Sequence, residues 1–198
     1  MEQIGISGAG LHKVKVFRDV RGSFHELFHA KDVREATGRD FNLRQANCSV
    51  SKKGTLRGIH YTSVPPGQAR YATCVRGEVL AGVLDVRTGS PTFGAWRTVE
   101  LNSRDYSALY IAEGLGFGFV ALSDDAVLLY LSSQEYDPHR EHGVHPLDPE
   151  VGIGWPAGIS FELSGRDASA PGLAEARQRG LLPRYADCRR YVPEGFLG

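Results

Sequence analysis

Short runs of strand-forming residues recur along this chain roughly every eight to twelve positions with turn signals between them, and that spacing restricts the fold more than any other feature. The runs are Val14 to Phe17, Phe24 to Phe28, Phe41 to Ser51, Thr55 to Thr62, Tyr71 to Arg76, Val79 to Arg87, Ala95 to Leu101, Ser107 to Ile111, Phe117 to Leu122 and Val127 to Ser133. Two helical stretches interrupt them. Lys31 to Thr37 stops at Gly38, and Leu173 to Arg179 ends at Gly180, the residue suited to a helix stop. The pattern predicts an all-β sandwich or barrel. With 198 residues, no visible linker and no internal repeat, the chain is expected to form one domain over residues 1–198 around one core.

Acidic and basic residues balance at 23 each, so no net field draws the chain to nucleic acid or to an anionic membrane, and neither partner is expected. An anionic ligand would have to be met by local arginines. No run approaches the eighteen or so apolar residues of a membrane span and the N-terminus lacks a signal-peptide core, which predicts a soluble, cytoplasmic protein. Cys48, Cys74 and Cys188 form no C-x-x-C pair and are expected as free thiols, with Cys48 and Cys74 acting as small hydrophobes.

The densest chemistry lies in Arg57-Gly58-Ile59-His60-Tyr61 and the turn Pro65-Pro66-Gly67-Gln68-Ala69-Arg70. A histidine titrates near neutral pH and suits a general base, provided a carboxylate orients it. Asp167, in an irregular polar segment that can fold back onto the sheet, is one candidate among many. Arg57, Arg70 and Arg21 are the cations nearest these motifs, and an arginine fork matches phosphate or carboxylate oxygens. Simple alternation sets Arg57 and His60 on opposite faces of their strand; a bulge at Gly58 would bring them to one face. In Gln45 to Ser51, Gln45, Asn47, Ser49 and Ser51 share one face and Ala46, Cys48 and Val50 the other. The polar face meets water in an ordinary strand and lines the cavity in a ligand-holding barrel. Tyr130, in an otherwise apolar strand, needs a hydrogen bond or a substrate for its hydroxyl. His139, His142 and His145 crowd together, but in a loop beside proline and glycine. A solvated loop at the barrel end is preferred there to a metal site, and no metal or other cofactor is expected.

Taken together, Asp19-Val20-Arg21-Gly22 with Phe24-His25-Glu26, Leu56 to Tyr61, Pro65 to Arg70, Gly89 to Trp96, Leu147-Asp148-Pro149 with Ile153 to Pro156, and Leu163-Ser164-Gly165-Arg166-Asp167 resemble the dTDP-4-dehydrorhamnose 3,5-epimerase family. The blocks run in order from about residue 10 to residue 185. The resemblance implies a cupin-type β-barrel (jelly roll) with short peripheral helices, a homodimer, no metal, and epimerisation of a 4-keto-6-deoxyhexose carried on dTDP. The Pro-Pro-Gly-Gln variant and the ending Gly180 to Tyr185 look more like epimerases of antibiotic deoxysugar pathways than like the cell-wall rhamnose enzyme. It also implies His60 as base, Asp167 as its orienting partner, Tyr130 as the acid on the opposite face, and Arg70 near the 4-keto oxygen. Arg21, Glu26, Gln45, Asn47, Arg57, Phe117 and Arg166 are the implied substrate-binding set. Two positions depart from the family pattern: Arg70 stands where a lysine is usual, and Phe117 where a histidine is usual. The resulting expectation is inversion of one carbon, C3 in preference to C5. The alternatives are a non-catalytic sugar-nucleotide-binding barrel and a metal cupin enzyme using His139, His142 or His145.

Overall fold

A computed structural model describes residues 1–191. Among the described residues thirteen strands dominate, all paired antiparallel. One sheet has the order β1-β2-β10-β7-β12-β5, from β1 (Glu2–Gln3), β2 (Ala9–His12), β5 (Gln45–Ser51), β7 (Arg70–Arg76), β10 (Ala108–Ile111) and β12 (Ala126–Ser132). The second has the order β13-β6-β11-β8-β9, from β6 (Leu56–Thr62), β8 (Glu78–Leu84), β9 (Trp96–Asn102), β11 (Gly116–Ala121) and β13 (Glu141–Gly143). A hairpin of β3 (Val16–Asp19) and β4 (Gly22–His25) forms a separate two-stranded ribbon. The α-helices of the described residues are short and lie at the periphery: α1 (Ala30–Thr37), α2 (Gly165–Ala168), α3 (Leu173–Gln178) and α4 (Tyr185–Cys188). Two facing antiparallel sheets with short peripheral helices are the expected jelly-roll architecture. Among the described residues no helix is long and apolar enough to cross a membrane.

The main core fills the space between the sheets, with Tyr71, Cys74, Leu109 and Leu128 from one side and Val79, Ala81, Val83, Leu101 and Phe119 from the other. The five-stranded sheet is buried on its outer face as well, where Ile59, Tyr61, Leu84 and Val86 pack against Leu173 and Ala176 of α3. Several sequence motifs serve this outer layer. The Asp148 carboxylate accepts from the Leu173 N–H at the start of α3 (2.7 Å), and the Trp155 indole donates to the Pro146 carbonyl (2.8 Å). Thr88 to Gly94 folds over a buried Asp85, which accepts from Arg87, Ser90 and Thr92.

The central strand β11 is buried throughout, and its Gly-Phe-Gly-Phe alternation follows from its neighbours. Phe117 and Phe119 turn into the space between the sheets. A Cβ on Gly116 would meet Ile59 at 2.6 Å, and one on Gly118 would meet the Arg57 carbonyl at 2.7 Å. That close approach accompanies a bulge in β6. His60 pairs with Phe117 and Arg57 with Phe119, so Gly58 and Ile59 together oppose the single residue Gly118.

Ten expected strands correspond to β3 to β12, with ends shifted; β1, β2 and β13 are additions, as are α2 and α4. The two expected helices match α1 and α3 closely. The largest shift is at β5, which begins at Gln45 and not at Phe41, and in the ribbon Val20 and Arg21 form the tip between β3 and β4. Cys48 corrects the expectation of a buried thiol: it is exposed, whereas Cys74 and Cys188 are buried, and all three are free.

Gly58 has φ 118°, and a Cβ there would lie 2.5 Å from the Gly118 Cα and 2.8 Å from the Phe117 carbonyl oxygen. Gly58→Ala is therefore expected to lower stability by about 2–4 kcal/mol, because both obstacles are backbone. Gly89→Ala, with φ 82° and nothing within 4 Å, supplies a comparison carrying left-handed strain alone, about 1–2 kcal/mol. Denaturant titration of the two variants checks the difference.

Candidate active site

The bulge at Gly58 turns Arg57 and His60 toward one face, and both line a cavity of about 530 Å³ between the sheets. From the opposite sheet come Arg70 of β7, Tyr130 of β12 and the polar face of β5, Gln45, Asn47 and Ser49. The same cavity takes Phe117 from β11, Glu141 from β13, and Arg166 and Asp167 from α2. The alternation in β5 is thus resolved in favour of the cavity: its polar residues point inward while Ala46, Cys48 and Val50 are exposed.

His60 Nε2 lies 2.6 Å from Asp167 Oδ1. Asp167 is buried at the third position of α2, whose cap Ser164 accepts from the Asp167 N–H at 3.1 Å. The segment is held to the sheet by the Leu56 N–H donating to the Glu162 carbonyl and the Glu162 N–H donating to the Gly54 carbonyl. Burial alone would raise the Asp167 pKa. Hydrogen bonds from His60, Ser164 and the Gly58 N–H, with the imidazole's charge, hold it below the ordinary carboxylate value. With Nε2 committed to this carboxylate, Nδ1 is the ring nitrogen left over for another partner.

Tyr130 is half-buried, opposite Asn47 in the β5 register and Ala72 in the β7 register. Its phenol is raised above its ordinary pKa by burial, opposed by Arg70 and Arg57 and reinforced by Glu141, so it is protonated at neutral pH. Arg70 is buried; its Nη1 donates to the His60 carbonyl and its Nε to Gln68 Oε1, each at 2.9 Å. Burial pulls the guanidinium below its ordinary value while Glu141 and Tyr130 oppose that pull. A guanidinium remains charged regardless. Arg57 is exposed toward the cavity mouth and donates to Ser51 Oγ at 3.2 Å. Phe117 faces His60 across the β6–β11 pair and puts a buried aromatic ring into the wall.

Arg21 and Glu26 are not brought to this cavity within one chain. Arg21 sits at the tip of the β3–β4 ribbon, paired with Asp19, and Glu26 is exposed just beyond β4. Glu141 was missed by sequence reasoning. Its carboxylate lies 3.7 Å from Arg70, 3.8 Å from His60 Nδ1 and 3.5 Å from Arg166. The available signal was alternation in the short strand around it, which sets Glu141 and Gly143 on the face opposite His142. Tyr136, also missed, lines the cavity; its N–H donates to Gln45 Oε1, and its hydroxyl lies 3.4 Å from Arg166 Nη1. The three crowded histidines separate: His142 stacks on Tyr61 and bonds Ser63 Oγ, while His145 Nδ1 accepts from the Leu147 N–H.

The cavity wall carries three arginines against two carboxylates, with a paired imidazole on one side and a protonated phenol on the other. Such a wall has the charge to attract an anion and the groups that proton transfer requires.

Because the Asp167 pKa is depressed on folding, the carboxylate stabilises the native state above the ordinary carboxylate range. That contribution is lost as the pH falls through the folded-state value. Asp167→Asn is expected to cost about 1.5–3 kcal/mol at neutral pH, a difference that narrows below about pH 4. Urea denaturation of both proteins across pH checks the sign.

The model of the dTDP-4-dehydrorhamnose 3,5-epimerase family matches residues 3–175. A dTDP-4-dehydrorhamnose 3,5-epimerase of Streptomyces griseus is 51% identical over 188 residues, covering 95% of this chain and 94% of the relative. A dTDP-4-dehydro-6-deoxyglucose 3-epimerase of Streptomyces bikiniensis is 50% identical over 185 residues, 93% of this chain and 94% of the relative. Among solved structures, ChmJ, a 3'-monoepimerase from Streptomyces bikiniensis in complex with dTDP-quinovose, superposes with a TM-score of 0.94 at 49% identity, covering 96% of both chains. An H60N/Y130F double mutant of ChmJ in complex with dTDP gives the same TM-score at 48% identity and the same coverage. With its jelly-roll sheets, its polar cavity and these matches along nearly its whole length, the chain belongs to the dTDP-4-dehydrorhamnose 3,5-epimerase family.

Proposed function

We propose that this protein is a metal-independent epimerase of a dTDP-4-keto-6-deoxyhexose, inverting C3 by way of an enolate. The observation that carries the reading is the division of labour across the cavity: the His60–Asp167 pair, at 2.6 Å, belongs to one wall and Tyr130 to the other, with Arg70 bonded to the His60 backbone. C3 is acidic because it flanks the C4 ketone. His60 takes its proton, the electron pair of the C–H bond moves into a C3–C4 double bond, and negative charge gathers on O4. The fixed Arg70 cation favours that charge over the neutral ketone. Tyr130 then delivers a proton to C3 from the opposite face, and solvent restores both groups. The substituted pair in the Streptomyces bikiniensis enzyme has the same residue types and numbers as His60 and Tyr130 here, which supports these roles.

Arg57, Gln45 and Asn47 line the same cavity as the acid and base, which supports a nucleotide-side role for them, and Arg166 adds a further cation. Phe117 takes up the wall beside His60 with an apolar ring, the feature that favours reaction at one carbon. Relatives named as 3-epimerase and as 3,5-epimerase are about equally similar, at 50% and 51% identity.

The same reading makes the enzyme a cytoplasmic homodimer with no nucleic acid or membrane partner. Among the described residues the β3–β4 ribbon pairs with no other strand, and it exposes Phe17 (42%), Phe24 (65%) and Val20 (104%), an apolar arm that a second copy would cover. Docked there, the arm would bring Arg21 and Glu26 to the nucleotide end of the partner's cavity.

Incubation with dTDP-4-keto-6-deoxyglucose in deuterium oxide is expected to place deuterium at C3, with the inverted product seen by NMR. His60→Ala should lower exchange by about 10²–10⁴-fold. Tyr130→Phe should keep exchange into recovered substrate while losing most inversion. Deuterium at C5 alone would overturn the choice of carbon, and an active His60→Ala protein would overturn the base. Sedimentation should give a dimer for the native chain and a monomer for the Phe17→Asp/Phe24→Asp variant.

A further inference from the structure

Arg70 presents its charge through a planar fork whose N–H directions are fixed once two of them are anchored. One anchor is the His60 carbonyl, which accepts from Nη1, and the other is Gln68 Oε1, which accepts from Nε. The third neighbour, Glu141, is 3.7 Å from Nη2, an ion-pair distance without hydrogen-bond direction. Gln68 is itself held from behind. Its Nε2 donates to the Gln134 carbonyl at 2.9 Å, which commits its amide oxygen to the arginine.

The turn that carries Gln68 is tied to the segment leaving β12. The Ala69 N–H donates to Ser133 Oγ at 2.8 Å, and the Ser133 N–H donates to the Ala69 carbonyl at 3.0 Å. Gly67, at φ 71°, closes the turn with its N–H on the Ser63 carbonyl, and a Cβ there would meet Glu113 at 2.7 Å. Gln68 therefore stands between the strand that carries Tyr130 and the guanidinium that bonds the His60 backbone.

We infer that Gln68 is a positioning residue: by holding Arg70 Nε it aims the guanidinium at the oxygen on which enolate charge develops, and keeps that aim in register with Tyr130. The inference rests on the epimerase reading. Its physical reason is directional. An ammonium stabilises charge as a point and tolerates rotation, whereas a fork that loses its Nε anchor swings its terminal N–H groups off line. Gln68 acts through Arg70, without itself touching the reacting carbon.

The test is a cycle in the full-length protein: Gln68→Leu, Arg70→Lys and the double variant, assayed for kcat and KM in C3 deuterium exchange and for dTDP affinity by calorimetry. Gln68→Leu is expected to lower kcat by about 10-fold or more, with KM and dTDP affinity within about 2-fold, since small misplacements cost rate more than binding. In the Arg70→Lys background the same change should cost under about 3-fold, the non-additivity of a pair acting together. Equal costs in the two backgrounds would show a merely structural glutamine and overturn the inference, as would an unchanged kcat in Gln68→Leu. A second readout needs no turnover. The Arg70 Nε–H resonance, assigned by its loss in Arg70→Lys, should exchange with solvent at least about 10-fold faster in Gln68→Leu. If it does not, the positioning is wrong whatever the activity. If it does while the native protein exchanges no deuterium into a keto-sugar, Gln68 still orients Arg70 and it is the epimerase reading that fails.

Discussion

The bulge at Gly58 is the constraint from which the cavity follows. A regular β6 would send Arg57 and His60 to opposite faces, because strand side chains alternate. Two residues opposing one on β11 return them to the same face, and the N–H of Gly58 becomes a donor to Asp167. Glycine is required on both sides of the irregularity. Gly58 has a left-handed φ and lies against Gly118, so the strands approach more closely than any side chain would permit. The bulge gives up local pairing and sets His60, beside Asp167, and Arg57 in a common wall.

Electrostatics in that wall depends on who is paired with whom. Asp167 is charged because three donors, the His60 imidazole among them, outweigh its burial, whereas the Tyr130 phenol keeps its proton because burial outweighs two arginines. These opposite outcomes put a charged carboxylate in one wall and a protonated phenol in the other. Glu141 tempers the arginines, lying within 4 Å of Arg70, Arg166 and His60, and so limits how much unbalanced positive charge the cavity holds. The six-stranded sheet supplies Tyr130 and Arg70, and the five-stranded sheet supplies His60, with Asp167 set beside it by α2. The cavity between the two sheets therefore carries the imidazole and the phenol on facing walls.

Much of the architecture was legible along the chain. Period-2 runs with turns between them recovered β3 to β12, and the helix stops at Gly38 and Gly180 recovered α1 and α3. β1, β2 and β13 escaped because strands of two to four residues are too short to establish a period. The dense motif around His60 was legible as chemistry, and so was the need for a bulge once Arg57 and His60 were required to cooperate. Glu141 was hidden by the histidines flanking it, which drew attention toward metal ligation. Cys48 was misread because the alternation in β5 was correct in period, while which face meets the core is set by the opposite sheet.

By itself the sequence determined the all-β class, the positions of most strands, the family and the residue types available for acid–base chemistry. These depend on local periodicity, turn stereochemistry and the side chains present. Only the tertiary structure decided that His60 and Asp167, 107 positions apart, meet at 2.6 Å, that the polar face of β5 looks inward, and that Arg21 and Glu26 stay outside the cavity of their own chain. Those outcomes depend on the register between strands far apart in the chain and on which sheet covers which face. Both are set by packing the whole core at once, and no local window of residues contains that information.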